Sequence, residues 1–372
     1  MSKNKSKKSN IGQIIYMAIM LVAGMVCGAI AGAFLARAEE NGESFFVYVF
    51  VLLLAIYLAM FIQMVVHEAG HLVFGLLTGY HFSSFRIGSF MFIKENGKIR
   101  LRKFSLAGTG GQCLMVPPNL IDGKMPIVLY NLGGCLMNML VSSLFAIVAY
   151  FSYENAFVYI FSVSMVVIGL AFAVSNGIPM QVGPVSNDGH NALSLGKNPG
   201  ALKAFWLQLK INEQISKGKR LKEMPVEWFA VPAEKDMDNG LVATLAVFHA
   251  NWLMDQCLLD EAREYIEELL QKKTGIIGLH RSLLISDRIY CELVVKDNVE
   301  EAVSLHNKEH EKFIKQMKNN PSIIRSEYAY AMIAEQDEEK AKKLLERFEK
   351  VAKTYPYPQE IEGERELIFA SE

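Results

Sequence analysis

Four long apolar runs constrain the fold of this chain more than any other feature of its sequence. The stretches 11–36, 45–66, 126–151 and 157–178 contain no Asp, Glu, Lys or Arg. As a helix, residues 45–66 would extend about 33 Å, enough to cross the roughly 30 Å hydrocarbon core of a bilayer. The sequence therefore predicts a mainly α-helical, polytopic membrane protein, with transmembrane helices at about 11–36, 45–77, 126–151 and 157–178.

The first run has two interpretations. It follows a lysine-rich tail, residues 1–10, and Ala36-Arg37-Ala38 resembles a signal-peptide cleavage site. The apolar region of a signal peptide usually spans only about 7–15 residues. We therefore favour an uncleaved anchor, which forms the first of the four spans.

Basic residues predict the orientation of these spans. The N-terminal tail and the loop after the second span are both rich in Lys and Arg, which favours the cytoplasmic side for both. An even number of spans then places both termini in the cytoplasm. The five cysteines are scattered without a CxxC pair, so we interpret them as reduced, small apolar core residues. They are Cys27, Cys113, Cys135, Cys257 and Cys291.

A β-hairpin is expected between the second and third spans. Residues 84–93 and 99–106 partly alternate apolar with small or charged residues around Asn96-Gly97, a favoured two-residue turn. This pattern predicts a small membrane-associated hairpin at about 84–106. The residues expected to break regular structure after it are Gly108, Gly110, Gly111, Pro117 and Pro118.

The C-terminal part has the composition of a soluble domain. From about residue 202 the chain is rich in Lys and Glu, and similar helix starts recur near residues 259, 299 and 338. This spacing predicts either tetratricopeptide-like helical repeats or an ordinary helical bundle. The predicted organisation is a membrane domain at 1–192, a connector at 193–237 and a cytoplasmic helical domain at 238–372. Its expected buried faces are Ala262, Tyr265, Ile266, Leu269 and Leu270, and Ala341, Leu344, Leu345 and Phe348.

The composition also bears on partners. The net charge is -1, and the basic residues cluster only in the N-terminal tail and in one loop beside apolar spans. A nucleic-acid-binding domain would need a longer basic face. The expected partners are therefore the lipid bilayer, a membrane-inserted protein or peptide, and a protein that binds the C-terminal helices.

The motif His67-Glu68-Ala69-Gly70-His71 follows the second apolar run directly. Histidines four residues apart project from one face of a helix and can bind one Zn²⁺ ion, while the glutamate is placed to deprotonate metal-bound water. Ionisable residues within apolar sequence are costly, which favours a functional explanation. The predicted roles are zinc ligands for His67 and His71 and general base for Glu68.

A catalytic zinc needs a third protein ligand and keeps its fourth position open. Asp188 lies just beyond the end of the fourth span, on the membrane side where the topology places the motif. It is the first candidate. His190 competes with it, and His81 is a more distant alternative.

These residues resemble those of the site-2 protease family of intramembrane metalloproteases. The family carries HExxH on one transmembrane helix and an aspartate in a DG motif after a later one, often within an N-x-x-P stretch. Here Asn176-Gly177-Ile178-Pro179 precedes Asp188-Gly189. The resemblance covers about residues 45–192.

The resemblance implies roles for several further residues. Asn138 follows Gly133-Gly134 as an asparagine follows a glycine-proline pair in the family, which implies that it orients substrate or a ligand. Asn176, Gly110 and Gly111 are the other residues expected to bind or orient substrate, and the hairpin is expected to hold an unwound substrate. A bacterial cell membrane is the implied location. Two departures are that Gly134 stands where proline is usual and that the Pro179–Asp188 interval is longer than in common members.

Together these features predict an intramembrane zinc metalloendopeptidase that performs regulated intramembrane proteolysis. Two alternatives stay open. One is a membrane zincin of the CAAX-processing or HtpX type, which would need a downstream glutamate ligand. The other is a membrane-anchored adaptor whose helical repeats bind a partner. A second zincin-like pattern, HxxEH at His306–His310, lies in a strongly charged helix, and we interpret it as a solvated helix face.

Overall fold

A computed structural model describes residues 2–40, 44–95, 97–104, 110–182 and 185–370. Across these ranges the chain is mainly helical, with one four-stranded sheet and one two-stranded ribbon. It divides into two compact units. Unit 1 comprises Met1–Phe82 and Gly110–Pro199, and unit 2 comprises Ser83–Thr109 and Gly200–Glu372.

Unit 1 is built around long helices. They are α1 (Ser2–Glu40), α2 (Phe45–Leu77), α3 (Val128–Phe151) and α4 (Ala156–Gly177), followed by the short α5 (Asp188–Ser194). Each of the first four contains a segment long and apolar enough to cross a membrane. These segments are Ile11–Ile30, Phe45–Leu77, Val128–Phe151 and Ala156–Gly177, which confirms four apolar helices close to the predicted positions.

Glycines allow α2, α3 and α4 to pack closely. A Cβ on Gly70 would overlap the Gly133 carbonyl group, so the backbones of α2 and α3 are in direct contact at this crossing. A Cβ on Gly169 of α4 would overlap side chains of the other two helices. Small residues permit this close approach of helices in apolar surroundings. The crossing of α2 and α3 lies within the HExxH motif.

The sheet is larger than the predicted hairpin. Its strands are β1 (His81–Ile87), β2 (Phe90–Glu95), β3 (Lys98–Lys103) and β4 (Gly111–Val116), in the order β3-β2-β1-β4. Strands β2 and β3 pair through Glu95 and Lys98, which confirms the two-residue turn, although Asn96 itself lies outside the described residues. A short ribbon, β5 (Gln181–Val182) with β6 (Val185–Ser186), precedes α5.

Two expectations for this region were wrong. Residues 84–93 are not one strand, because the chain turns at Gly88 and Ser89 and Ile87 pairs with Phe90. Gly88 has a φ of +57°, a conformation that glycine adopts at little cost. It allows the tight turn between β1 and β2. Gly111 does not interrupt regular structure either, since it begins β4, whereas Gly110, Pro117 and Pro118 lie outside regular elements as predicted; Gly108 lies outside the described residues.

Unit 2 is a helical array. It contains most of α6 (Pro199–Ser216), then α7 (Gly240–Asp255), α8 (Leu259–Gln271), α9 (Gly278–Val294), α10 (Val299–Leu305), α11 (Lys308–Gln316), α12 (Pro321–Ala329), α13 (Glu338–Ala352) and α14 (Pro358–Phe369). Helices α8, α10 and α13 begin at the three predicted starts. Residues 193–237, expected as a connector, include α6 and four 3-10 helices, and Met224 and Phe229 from this segment are buried against α6.

The predicted amphipathic faces of unit 2 are buried. Ala262, Ile266 and Leu269 of α8 are at most 2% exposed, and Ala341 and Phe348 of α13 at most 1%. Apolar residues at helical spacing form one stripe, and burying that stripe stabilises a helix that is otherwise strongly charged. The periodicity of the sequence therefore predicted which faces of these helices are buried.

Candidate metal centre

His67 and His71 lie one helical turn apart on α2 and point to the same place. Both are buried, and their ring centroids are 4.9 Å apart in an edge-to-face arrangement. The two Nε2 atoms are separated by 3.3 Å. The i, i+4 spacing of the motif thus brings one nitrogen from each ring to a common point, as the sequence predicted.

Asp188 reaches the same point from the start of α5. Its Oδ2 lies 3.1 Å from Nε2 of His67 and 3.4 Å from Nε2 of His71. Although burial alone would raise the pKa of the Asp188 carboxyl, the neighbouring His67 and His71 hold that pKa well below the usual range. The carboxylate form is therefore the one that faces the histidines.

Asn187 fixes the position of Asp188, a role that was not predicted from the sequence. Its Oδ1 accepts hydrogen bonds from the backbone N–H groups of Met180 and His190, which caps α5. Its Nδ2 donates to the carbonyl oxygens of Ser175 and Ile178 at the end of α4. One side chain therefore ties α5 to α4. An asparagine directly before a short helix is an N-cap signal that could have revealed this role.

The three ligand atoms form a triangle of the right size for one metal ion. Their separations are 3.1, 3.3 and 3.4 Å. A tetrahedral zinc ion at about 2.0–2.1 Å from each ligand atom places those atoms about 3.3 Å apart. His67, His71 and Asp188 therefore match one face of a tetrahedron, and its fourth corner is available for water or substrate.

A chain of hydrogen bonds sets the tautomer of His67. Gln63 donates from Nε2 to the backbone carbonyl of Met165, so its Oε1 can only accept. Asn138 donates from Nδ2 to that Oε1 and to the Gln63 carbonyl, which leaves Asn138 Oδ1 facing Nδ1 of His67 at 2.7 Å. Nδ1 must therefore carry the proton. In neutral His67, Nε2 is then a bare acceptor.

His71 is oriented in the same way by a backbone group. Its Nδ1 lies 2.8 Å from the Tyr130 carbonyl oxygen, which can only accept a hydrogen bond. Nε2 of neutral His71 is then bare as well. With both imidazoles neutral, two bare nitrogens and a carboxylate oxygen converge on one point, and a cation at that point would stabilise the arrangement. This donor set fits a metal ion.

Glu68 is half-buried beside strand β4. A Cβ on Gly111 would come within 2.8 Å of Cγ and 2.9 Å of Oε1 of Glu68, so only glycine lets the strand pass this closely. The Cys113 backbone donates a hydrogen bond to the Glu68 carboxylate. The structure therefore brings Gly111 to the candidate centre, whereas a Cβ on Gly110 would contact Met64.

Gly134 is required by the position of His67. A Cβ at this residue would lie only 2.5 Å from Cε1 of the His67 ring. Any other residue, including the proline that is usual in the site-2 protease family, would displace the ring or α3. Glycine at 134 therefore fits the geometry of this chain.

The remaining candidates lie away from the ligand triangle. Asn176 donates to the Phe172 carbonyl of its own helix, and His190 contacts Ser194 through Nδ1. His81 is exposed at the start of β1. The structure thus brings Asp188, and not His190 or His81, to the two motif histidines. Gln63, which was not singled out from the sequence, is 0% exposed behind them.

The HxxEH pattern has a structural role within unit 2. His306 Nε2 lies 2.8 Å from Glu327, and His310 Nε2 lies 3.0 Å from the hydroxyl of Ser286. His310 is buried, so the expectation of a solvated helix face was wrong for this residue. The two histidines have different partners and share no common point, which argues against a second metal site.

Comparisons of the chain with protein-family models, with curated proteins and with solved structures found no match.

Proposed function

We propose that this protein is a zinc-dependent endopeptidase that cleaves membrane-inserted protein or peptide substrates, as the site-2 proteases that it resembles do. The observation that carries the proposal is the triangle formed by His67, His71 and Asp188, with Glu68 next to it on the same helix. Their separations of 3.1–3.4 Å suit one tetrahedral metal ion. The chain thus combines a metal-binding face with an adjacent carboxylate base.

His67, His71 and Asp188 would hold the Zn²⁺ ion. When bound, such an ion polarises a peptide carbonyl and lowers the pKa of water, which makes hydrolysis feasible near neutral pH. The Asn138–Gln63 chain and the Tyr130 carbonyl keep both imidazoles in the tautomer that offers Nε2. These partners orient the ligands before any metal binds.

Glu68 acts as the general base. Its carboxylate accepts a proton from the attacking water and returns it to the amide nitrogen that leaves, as in other HExxH enzymes. The hydrogen bond from the Cys113 backbone holds this carboxylate in place. Replacing the carboxylate with an amide removes the proton acceptor without removing a metal ligand.

The edge of β4 is the proposed binding surface for substrate. β4 is the last strand of the sheet, and its first residue, Gly111, contacts Glu68. An extended peptide that adds to this edge by backbone hydrogen bonds would pass next to the base. A helical substrate would first have to unwind, because only an extended backbone can pair with a strand.

A membrane is the proposed environment of this chemistry. Leu21, Phe50 and Leu140, on three of the four apolar helices, are more than half exposed, as expected of side chains that face lipid. The proposed orientation has both termini in the cytoplasm, with basic residues on that side. Unit 2 would then be available to a cytoplasmic protein partner.

The proposal is tested by comparing membrane-protein N-termini, by mass spectrometry, in cells that carry the intact chain and the Glu68→Gln variant. New termini within or beside transmembrane segments are expected only with intact Glu68, because general-base catalysis contributes about 10²–10⁴-fold. Glu154→Gln, at an exposed carboxylate between α3 and α4, is the matched control and should behave as the intact chain. Cleavage that persists with Glu68→Gln while zinc is bound would overturn the mechanism.

A further inference from the structure

Cys135 is a buried thiol next to the candidate metal centre that the proposed reaction does not use. It follows Gly134 on α3 and is only 5% exposed. Ligand atoms of His67, Cys135 and Asp188 all lie within 4.8 Å of one another. Two donor triads therefore share His67 and Asp188, one completed by His71 and the other by Cys135.

The Cys135 sulfur is within reach of a metal held by this pair. With a Zn–S distance of about 2.3 Å and a Zn–N distance of about 2.0–2.1 Å, ligand atoms in a tetrahedral site lie about 3.6 Å apart. Relative to His67 and Asp188, the sulfur would need to move inward by about 1.2 Å at most. Gly177 of α4 covers it, since a Cβ there would contact Sγ at 3.5 Å.

The surroundings of Cys135 distinguish it from an ordinary core cysteine. Nε2 of His67, Nε2 of His71 and the Asp188 carboxylate already converge at this point. The side chain of cysteine is as small as that of a small apolar residue. Unlike such a residue, it becomes a metal ligand when the thiol loses its proton. The interpretation of all five cysteines as apolar core residues was wrong for Cys257, which is exposed, and it does not account for the position of Cys135.

We infer that Cys135 is a fourth protein ligand of the metal at this centre. The S–H bond breaks as the sulfur–metal bond forms, the proton passes to solvent, and no atom changes oxidation state. Four protein ligands close a zinc site, whereas a catalytic site keeps one position open. The cysteine-bound form is thus a resting form, and opening the site requires the sulfur to leave. This inference rests on the metal site of the proposed function but not on proteolysis.

The test uses Co²⁺ in the full chain, purified in detergent and stripped of metal. A sulfur-to-cobalt charge-transfer band in the near ultraviolet is expected for the unaltered chain. Cys135→Ser should abolish this band and weaken Co²⁺ binding by at least about the tenfold that loss of an outer-shell partner already costs. Cys27→Ser, at another buried cysteine of unit 1, is the matched control and should retain the band.

A second set of variants tests the two overlapping triads. His71→Ala should keep both the metal and the band, because His67, Cys135 and Asp188 remain. The double variant His71→Ala/Cys135→Ala should bind no Co²⁺ at the same concentration. Co²⁺ bound without a sulfur band in the unaltered chain would overturn the role of Cys135 and leave the metal centre standing. Absence of Co²⁺ binding to the unaltered chain would overturn both.

Discussion

Each unit of this protein contains a pair of histidines four residues apart, and the two pairs have different surroundings. In unit 1, Nε2 of His67 and Nε2 of His71 lie 3.3 Å apart and face the same carboxylate. In unit 2, His306 contacts Glu327 and His310 contacts Ser286. The first pair converges on one point, whereas each member of the second pair has its own partner.

The same contrast extends to the other buried polar groups. Arg325, in unit 2, is 1% exposed, forms an ion pair with Asp287 and lies 3.2 Å from Glu364. Charges there meet opposite charges, which is how a protein compensates the cost of burial. Around His67 and His71, three groups that can each ligate a metal converge on one point instead. This convergence is what we expect of a binding site, whereas complementary pairing is what we expect of a structural contact.

The largest expected effect tests this distinction with two matched double variants. His67→Ala/His71→Ala should abolish zinc binding, because two donors of the converging set are lost. His306→Ala/His310→Ala removes histidines at the same spacing and should leave the zinc content unchanged. Metal analysis of the purified proteins measures both. If both variants had the same zinc content as the intact chain, neither pair of histidines would be a metal site.

A second prediction concerns the buried arginine. Arg325→Met leaves Asp287 and Glu364 without their cation, so unit 2 should lose about 3–5 kcal/mol of unfolding free energy. All three tryptophans, Trp206, Trp228 and Trp252, lie in unit 2, so their fluorescence during urea unfolding reports on this unit alone.

Arg347→Met is the control for that experiment, because Arg347 is exposed on α13. It should change the unfolding free energy by less than about 0.5 kcal/mol. Zinc content should be unaffected in both variants. A loss of zinc on replacing Arg325 would contradict the separation of structural ion pairs in unit 2 from the proposed metal site in unit 1.

A smaller effect is expected from the hydrogen-bond chain behind His67. Asn138→Leu removes the acceptor for Nδ1 of His67, so the tautomer that offers Nε2 is no longer enforced. Loss of such an outer-shell partner typically lowers metal affinity by about 10–100-fold. Asn131→Leu, at a buried asparagine that donates to the Ile127 carbonyl just before α3, is the control. Zn²⁺ affinities are measured by competition with a chelator. Equal affinities in the two variants would show that Asn138 does not support metal binding.

The smallest prediction concerns pH. Burial, together with nearby His306, lowers the pKa of His310 from 6.5 to about 4. The unfolded chain therefore binds a proton that folded His310 does not, and stability falls as pH decreases from 6.5 towards 4. The contribution is at most about 3 kcal/mol.

The matching measurement is the pH dependence of urea unfolding of unit 2 in the intact chain and in His310→Gln. Burial raises the pKa of Glu360 and of Glu364 to about 7, so these groups lose stabilisation as pH rises from 4.5 to 7, in the opposite sense. Their contribution is common to both proteins and cancels in the difference. An identical slope in both proteins between pH 4 and 6.5 would contradict the lowered pKa of His310.

Much of the architecture could be predicted from local sequence. Uncharged runs located the four apolar helices, and the 3.6-residue periodicity located the buried faces of α8 and α13. These features were accessible because each depends on residues within one segment. The extra turn at Gly88 was missed because a single glycine in an apolar run is a weak turn signal, and β4 was missed because glycines and prolines flank it.

The candidate site also combines features that the local sequence predicts with features that depend on the tertiary structure. The sequence by itself determined that His67 and His71 share a helix face with Glu68 next to them, because one helical turn fixes that geometry. Only the tertiary structure decided that Asp188 rather than His190 meets them, since Asn187 sets where α5 begins. The tertiary structure also placed Cys135, Asn138 and Gln63 at the centre, because their positions depend on how closely three helices pack.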